Sequence, residues 1–123
     1  METIKRLLPL LILILVSGSM KAQYTGPGTS DRLLTVKEIR ENAARLDRTD
    51  EHVRIRGYIT GQINKDTFTF KDSSGTIHLE ISKKHMPATP FDEKTEVIIV
   101  GEVDNDMFEE VEVEAELIIF PGS

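Results

Sequence analysis

Four glutamates at alternate positions, Glu110, Glu112, Glu114 and Glu116, are the most unusual chemical feature of the chain. Alternate residues of an extended chain share a face, so these carboxylates stand about 7 Å apart along one strand. Such a row can collect a divalent cation or a polycation such as a basic peptide. It can equally be a solvated edge whose like charges discourage edge-to-edge pairing. A second group has the opposite sign. Arg54, Arg56 and Tyr58 also alternate, and with Lys71 they would form a basic outer patch carrying one aromatic ring. That patch either meets an anionic ligand or is solvated and paired with acids on neighbouring strands.

Catalytic patterns have no comparable support. Asp104-Asn105-Asp106 with Glu109 and Glu110 lacks the D-x-[DN]-x-[DN]-G spacing of a calcium loop and reads as a turn. His52, His78 and His85 are scattered, with neither H-E-x-x-H nor an i, i+4 pair. Ser73 and Ser74 fall in a turn, and no serine, histidine and acid spacing suggests a triad. Gly26-Pro27-Gly28 precedes a helix but follows no strand, so it is no phosphate-binding fingerprint. Cysteine is absent from all 123 residues, which removes disulfides, thiol nucleophiles and Cys-type zinc sites. The expectation is a protein without a cofactor that is not an enzyme.

The elements that must position these residues are legible from periodicity. Thr35 with Glu38 makes a T-x-x-E capping box, and Val36, Ile39, Ala43 and Leu46 then follow at helical spacing. The spacing predicts one helix over 35–46. From about 52 to 120 the pattern is strand. Val53, Ile55, Gly57, Ile59 and Ile63 share one face of the first strand, against Arg54, Arg56, Tyr58 and Thr60. Phe68 and Phe70 face inward together, Asp72-Ser73-Ser74-Gly75 is a turn, and Ile77, Leu79 and Ile81 continue inward. Residues 82–94 hold Pro87 and Pro90 and make a connection with room for one short helical turn. EVIIVGEV over 96–103 is nearly continuous apolar, and 110–117 alternates with Val111, Val113, Ala115 and Leu117 inward. Five short strands and one helix suggest a small closed all-β barrel, with an open α+β sandwich as the other architecture. Gly57, Gly61 and Gly101 suit sharply bent strands.

Residues 1–22 have the three parts of a secretory signal: Lys5 and Arg6, the apolar run Leu7 to Val16, and small residues before Gln23. That run is shorter than the ~20 residues a membrane-spanning helix needs. The mature protein is therefore expected to be exported and not membrane-spanning. Residues 23–34 form a Gly/Pro-containing arm, and 35–120 form the folded domain. Lys5, Arg6 and Lys21 against Glu2 give the leader +2, so the formal −6 of the chain becomes −8 after cleavage. From Asp92 onward 11 acids face a single base, while residues 23–91 are slightly basic. An acidic, aromatic-poor exported protein is not expected to bind nucleic acid, which needs phosphate neutralisation and outward stacking platforms.

The order YTGPG, a TV helix start, VRIRGYI, FTFKDSSGTIHLEI and VIIVGEVDND resembles the bacterial OB-fold (BOF) family of periplasmic stress-tolerance proteins, from about Tyr24 to Ile118. The resemblance implies a five-stranded OB-fold barrel preceded by one N-terminal α-helix, an exported location that it narrows to periplasmic, and binding instead of catalysis. The expected partner is a charged small molecule, a glycan or an envelope protein, with the binding residues Arg54, Arg56, Tyr58, Lys71 and His78 on the outer face. An OB barrel also sets its fifth strand beside its third, which brings His78 and Glu80 toward the glutamate row. His78, Glu112 and Glu114 are then the candidate metal ligands. The family usually carries tryptophan near His85-Met86 and at Met107, and lysine or arginine near Glu116, and this chain departs from it at each.

Overall fold

The computed structural model describes residues 32–122, so the expected leader and most of the expected arm lie outside the described residues. A two-residue strand β1 (Leu33–Leu34) leads into two short helices, α1 (Val36–Glu41) and α2 (Ala43–Thr49). Strands β2 (His52–Gln62), β3 (Thr67–Asp72) and β4 (Gly75–Glu80) follow. A 3-10 turn (Lys83–His85) then opens the connection to β5 (Glu96–Asp104) and β6 (Glu112–Ile119). The strand order β1-β2-β3-β4-β6-β5, with β5 also paired to β2, closes five strands into a ring. All pairings in that ring are antiparallel except β4 with β6, which is parallel. β1 adds a short parallel pairing outside it, Leu33 opposite Arg54 and Leu34 opposite Ile55.

The helix begins where the capping box places it. Thr35 Oγ1 accepts from the Glu38 amide at 3.1 Å, and Glu38 Oε1 accepts from the Thr35 amide at 2.9 Å. The two amides between them are satisfied by the β3–β4 turn: Val36 N donates to Asp72 Oδ2 and Lys37 N to Ser74 Oγ, both at 2.9 Å. A helix start left with orphan donors is thereby tied to a hairpin far along the chain. The single helix expected over 35–46 is instead broken at Asn42, which sits at φ −115° and turns its Nδ2 back to the Glu38 carbonyl at 2.9 Å. The Asn42 amide donates to the same carbonyl at 3.1 Å, and asparagine with such local bonds is a poor residue for a helix interior. The apolar stripe survives the break: Val36, Ile39, Ala43 and Leu46 are all buried in the same core as Ile55, Phe70, Leu79, Ile99 and Val113.

Two strand irregularities correct the simple alternation. In β2 the register shifts between Ile59 and Gly61, leaving Thr60 as an extra residue, so Ile63 leaves the inward face and is 51% exposed. In β6 the partners Val100–Leu117 and Gly101–Ala115 leave Glu116 unpaired, which turns Leu117 outward and brings half-buried Ile118 against the core. A bulge of one residue inverts the phase of everything after it. β6 also begins two residues later than expected, so Glu110 lies outside it.

Backbones cross closely at two glycines. A Cβ on Gly57 would run into the Lys71 carbonyl and the Phe70 ring, and one on Gly101 into the Glu114 carbonyl. Gly101→Ala should therefore cost about 3 kcal/mol or prevent folding, whereas Gly122→Ala, with open space around it, should leave the melting temperature unchanged.

Asp72 accepts from Val36 N, Ser74 N, Ser74 Oγ and Gly75 N. Burial alone would raise its pKa, but the bonds from the Ser74 hydroxyl and the three amides outweigh it and hold the carboxyl below the usual value. A carboxyl with a depressed folded pKa stabilises above its unfolded pKa and loses that contribution as pH falls through the folded one. Asp72→Ala should lower stability by about 1–2 kcal/mol at neutral pH. Denaturant melts should show that difference shrinking below about pH 4.

Candidate functional site

Register around the ring decides which charges meet. On one line of the outer face His52 (β2) is opposite Glu102 (β5), Glu102 opposite Glu114 (β6), and Glu114 opposite Glu80 (β4). On the next line Asp104 is opposite Glu112, and Glu112 is opposite His78. Three strands thus contribute carboxylates to one continuous face. The neighbourhood of His78 and Glu80 with the glutamate row follows from the parallel β4–β6 pairing.

The four glutamates of the row do not act as one set. Glu110 reaches Arg40 of α1 at 3.7 Å, and Glu116 on its bulge reaches His52. Glu112 and Glu114 stay with Glu80 and Asp104, and among the described residues none of these four is ion-paired within 4.0 Å. The electrostatic consequence is clear. Partial burial, then the charges of Glu80, Asp104 and Glu109, raise the Glu112 pKa. Partial burial comes first at Glu114 too, followed by the charges of Asp104 and Glu80, a hydrogen bond with Asp104 and the charge of Glu112; together they push it up to about 7.

Of the candidate metal ligands, His78 stands beside Glu112 in register, but the ligand atoms of His78, Glu112 and Glu114 do not converge on one point. Among the described residues, the side chains that do converge are His52, Glu102 and Glu116, whose ligand atoms all lie within 4.8 Å of one another. Sequence reasoning missed this trio. Its only signals were the outward positions of His52 and Glu102, and nothing in residue type marks the bulge that turns Glu116 toward them.

The basic candidates are partly gathered. Tyr58 and Lys71 are register partners on β2 and β3, and with Thr60, Asp72, Ser73 and Glu93 they line an open concavity of about 400 Å³. Arg56 is neutralised by a fork of bonds to Glu96, Nε to Oε2 at 2.9 Å and Nη2 to Oε1 at 3.1 Å. Arg54 is half-buried on β2 where Leu33 pairs with it, and its Nε is buried without a hydrogen-bond partner among the described residues. His78 is set apart from Tyr58 by the width of β3, opposite Thr69.

A five-stranded closed ring with a helix packed among its core residues defines an OB-fold protein. The family described as bacterial OB fold (BOF) protein matches residues 17–119, and the chain belongs to it. It is similar to the calcium-regulated OB-fold protein CarO of Pseudomonas aeruginosa, 35% identical over 97 residues covering 78% of this chain and 79% of that one. It is also similar to protein YgiW of Escherichia coli, 38% identical over 76 residues covering 62% of this chain and 58% of the relative. The solved structure of the E. coli protein superposes with a TM-score of 0.62 over 78% of this chain and 97% of that one. None of these family relatives is named as an enzyme. Among the described residues no helix is long and apolar enough to cross a membrane.

The raised Glu114 pKa has a measurable consequence. Its folded value lies above the unfolded one, so the native state binds the extra proton between about pH 4.5 and 7, and stability falls as pH rises through that window. Glu114→Gln should flatten that slope, leaving the part that Glu112 contributes. It should raise stability at pH 8 by about 1 kcal/mol, a figure reduced for solvent screening because the side chain is largely exposed. Melting curves of both proteins from pH 4 to 8 are the check.

Proposed function

We propose that this protein is an exported, non-catalytic binding module of the bacterial envelope that contributes to stress tolerance by holding a charged partner on the outside of its barrel. The observation that carries the reading is the block of four carboxylates, Glu80, Asp104, Glu112 and Glu114, drawn from three strands and left without counter-cations among the described residues. A face of one sign attracts a partner of the other. The partner is therefore cationic: a divalent cation held through oxygen ligands, or the amines of a polyamine or basic peptide. The leader features of residues 1–22 support export. The name of the P. aeruginosa relative, which says it is regulated by calcium, makes Ca²⁺ the first ion to test.

A second reading rests on the concavity beside Tyr58, which is 39% exposed next to Lys71. A ring and an ammonium at one opening suit an anionic sugar or another small acid, such as an envelope glycan fragment.

Thermal unfolding with Ca²⁺, spermine, a basic peptide and anionic glycan fragments separates the two. Spermine, the basic peptide or Ca²⁺ should raise the melting temperature by several degrees near 100-fold its Kd, less so at moderate salt. The double variant Glu112→Gln/Glu114→Gln should lose the shift. An undiminished shift in that variant would remove the acidic face from consideration. A glycan-only shift abolished by Tyr58→Ala would move the function to the concavity.

A further inference from the structure

His52 opens β2, Glu102 is its register partner on β5, and the β6 bulge brings Glu116 to the same point. The imidazole Nε2 is 2.8 Å from Glu116 Oε1 and 3.5 Å from Glu102 Oε2. Zinc holds nitrogen and carboxylate ligands at about 2.0–2.2 Å, which in a tetrahedron sets donor atoms roughly 3.3–3.6 Å apart. The His52–Glu102 spacing already suits an ion, His52 and Glu116 would open slightly, and the ligand atoms of Glu102 and Glu116 already lie within 4.8 Å of one another.

Charge points the same way. An imidazolium between two carboxylates leaves the trio at −1, whereas a neutral imidazole and a divalent ion with the same carboxylates sum to zero. The three side chains are between 32% and 42% exposed, so water can complete the coordination and the ion has an entry path. A nitrogen donor among the three separates this trio from an all-oxygen calcium or magnesium site and favours the borderline ions zinc, cobalt and nickel.

We propose that His52, Glu102 and Glu116 form a divalent transition-metal site, with three protein ligands and water in the remaining positions. It goes beyond the cationic-partner reading and shares none of its four carboxylates, so either can fail alone.

Isothermal titration of tag-free protein with Zn²⁺ should give one tightly bound ion per chain, resolved from any weaker binding on the acidic face, and Co²⁺ should develop visible absorption bands of low coordination number. His52→Gln and Glu116→Gln should each weaken Zn²⁺ binding about tenfold or more, while Glu112→Gln/Glu114→Gln should leave it within about twofold. In the unmutated protein, Zn²⁺ should move the ring resonances of His52 and leave those of His78 and His85 in place, a reading that needs no variant to fold. No zinc binding, an unchanged affinity in His52→Gln, or movement of the His78 or His85 ring instead would overturn the site. A zinc site lost only in the Glu112/Glu114 variant would overturn it while leaving the acidic-face reading standing. Zinc binding at His52 with no spermine, peptide or Ca²⁺ shift would do the reverse.

Discussion

The parallel pairing of β4 with β6 is the constraint on which the charged surface depends. Without it the sheet has two open edges, and the glutamates of β6 lie on one of them with only β5 beside them. With it, Glu80 and His78 are held beside Glu114 and Glu112, and the antiparallel β5 supplies Glu102 and Asp104 from the other side. Closure removes the exposed edge that an alternating acidic strand would otherwise protect. The carboxylates are thus too numerous and too close to be explained as edge protection alone, and the barrel holds them together against their mutual repulsion.

That repulsion is opposed by the core. Phe70, Ile55, Leu79, Val97, Ile99 and Val113 are fully buried inside the ring. Stability of the barrel comes from this apolar interior, at about 1.5–3 kcal/mol for each large side chain buried. The outer face is then available for binding. The helices complete the interior, and the Asp72 turn anchors the first of them to the β3–β4 hairpin, so helix and barrel are held in one arrangement. Gly57 and Gly101 allow the close backbone crossings that a small ring requires.

Much of this was readable from residue order. The Thr35–Glu38 box, the helical stripe, the inward Phe68 and Phe70, and the outward acidic run each follow from local periodicity. What was not readable depends on insertions and distant pairings. Thr60 and Glu116 are the extra residues of two bulges, and nothing about a threonine or a glutamate in an alternating run announces one. Each bulge sent an apolar residue, Ile63 or Leu117, away from its expected face. The break falls at Asn42, whose side chain and backbone amide both bond the Glu38 carbonyl. The meeting of His52 with Glu102 and Glu116 needs the β2–β5 pairing and the β6 bulge together, which join residues 50 and more positions apart.

The central claim is that closure gathers the acidic residues of β4, β5 and β6 into the surface that binds cations. Paramagnetic mapping tests it most directly: trace Mn²⁺ is added to ¹⁵N-labelled protein and the broadening of each amide signal is followed. The account predicts broadening centred on residues 78–80, 102–104 and 112–116 and fading across β3, with the Tyr58 end of β2 and the β3–β4 turn least affected. Broadening centred on Tyr58 and Lys71, or spread evenly over every exposed carboxylate, would contradict it.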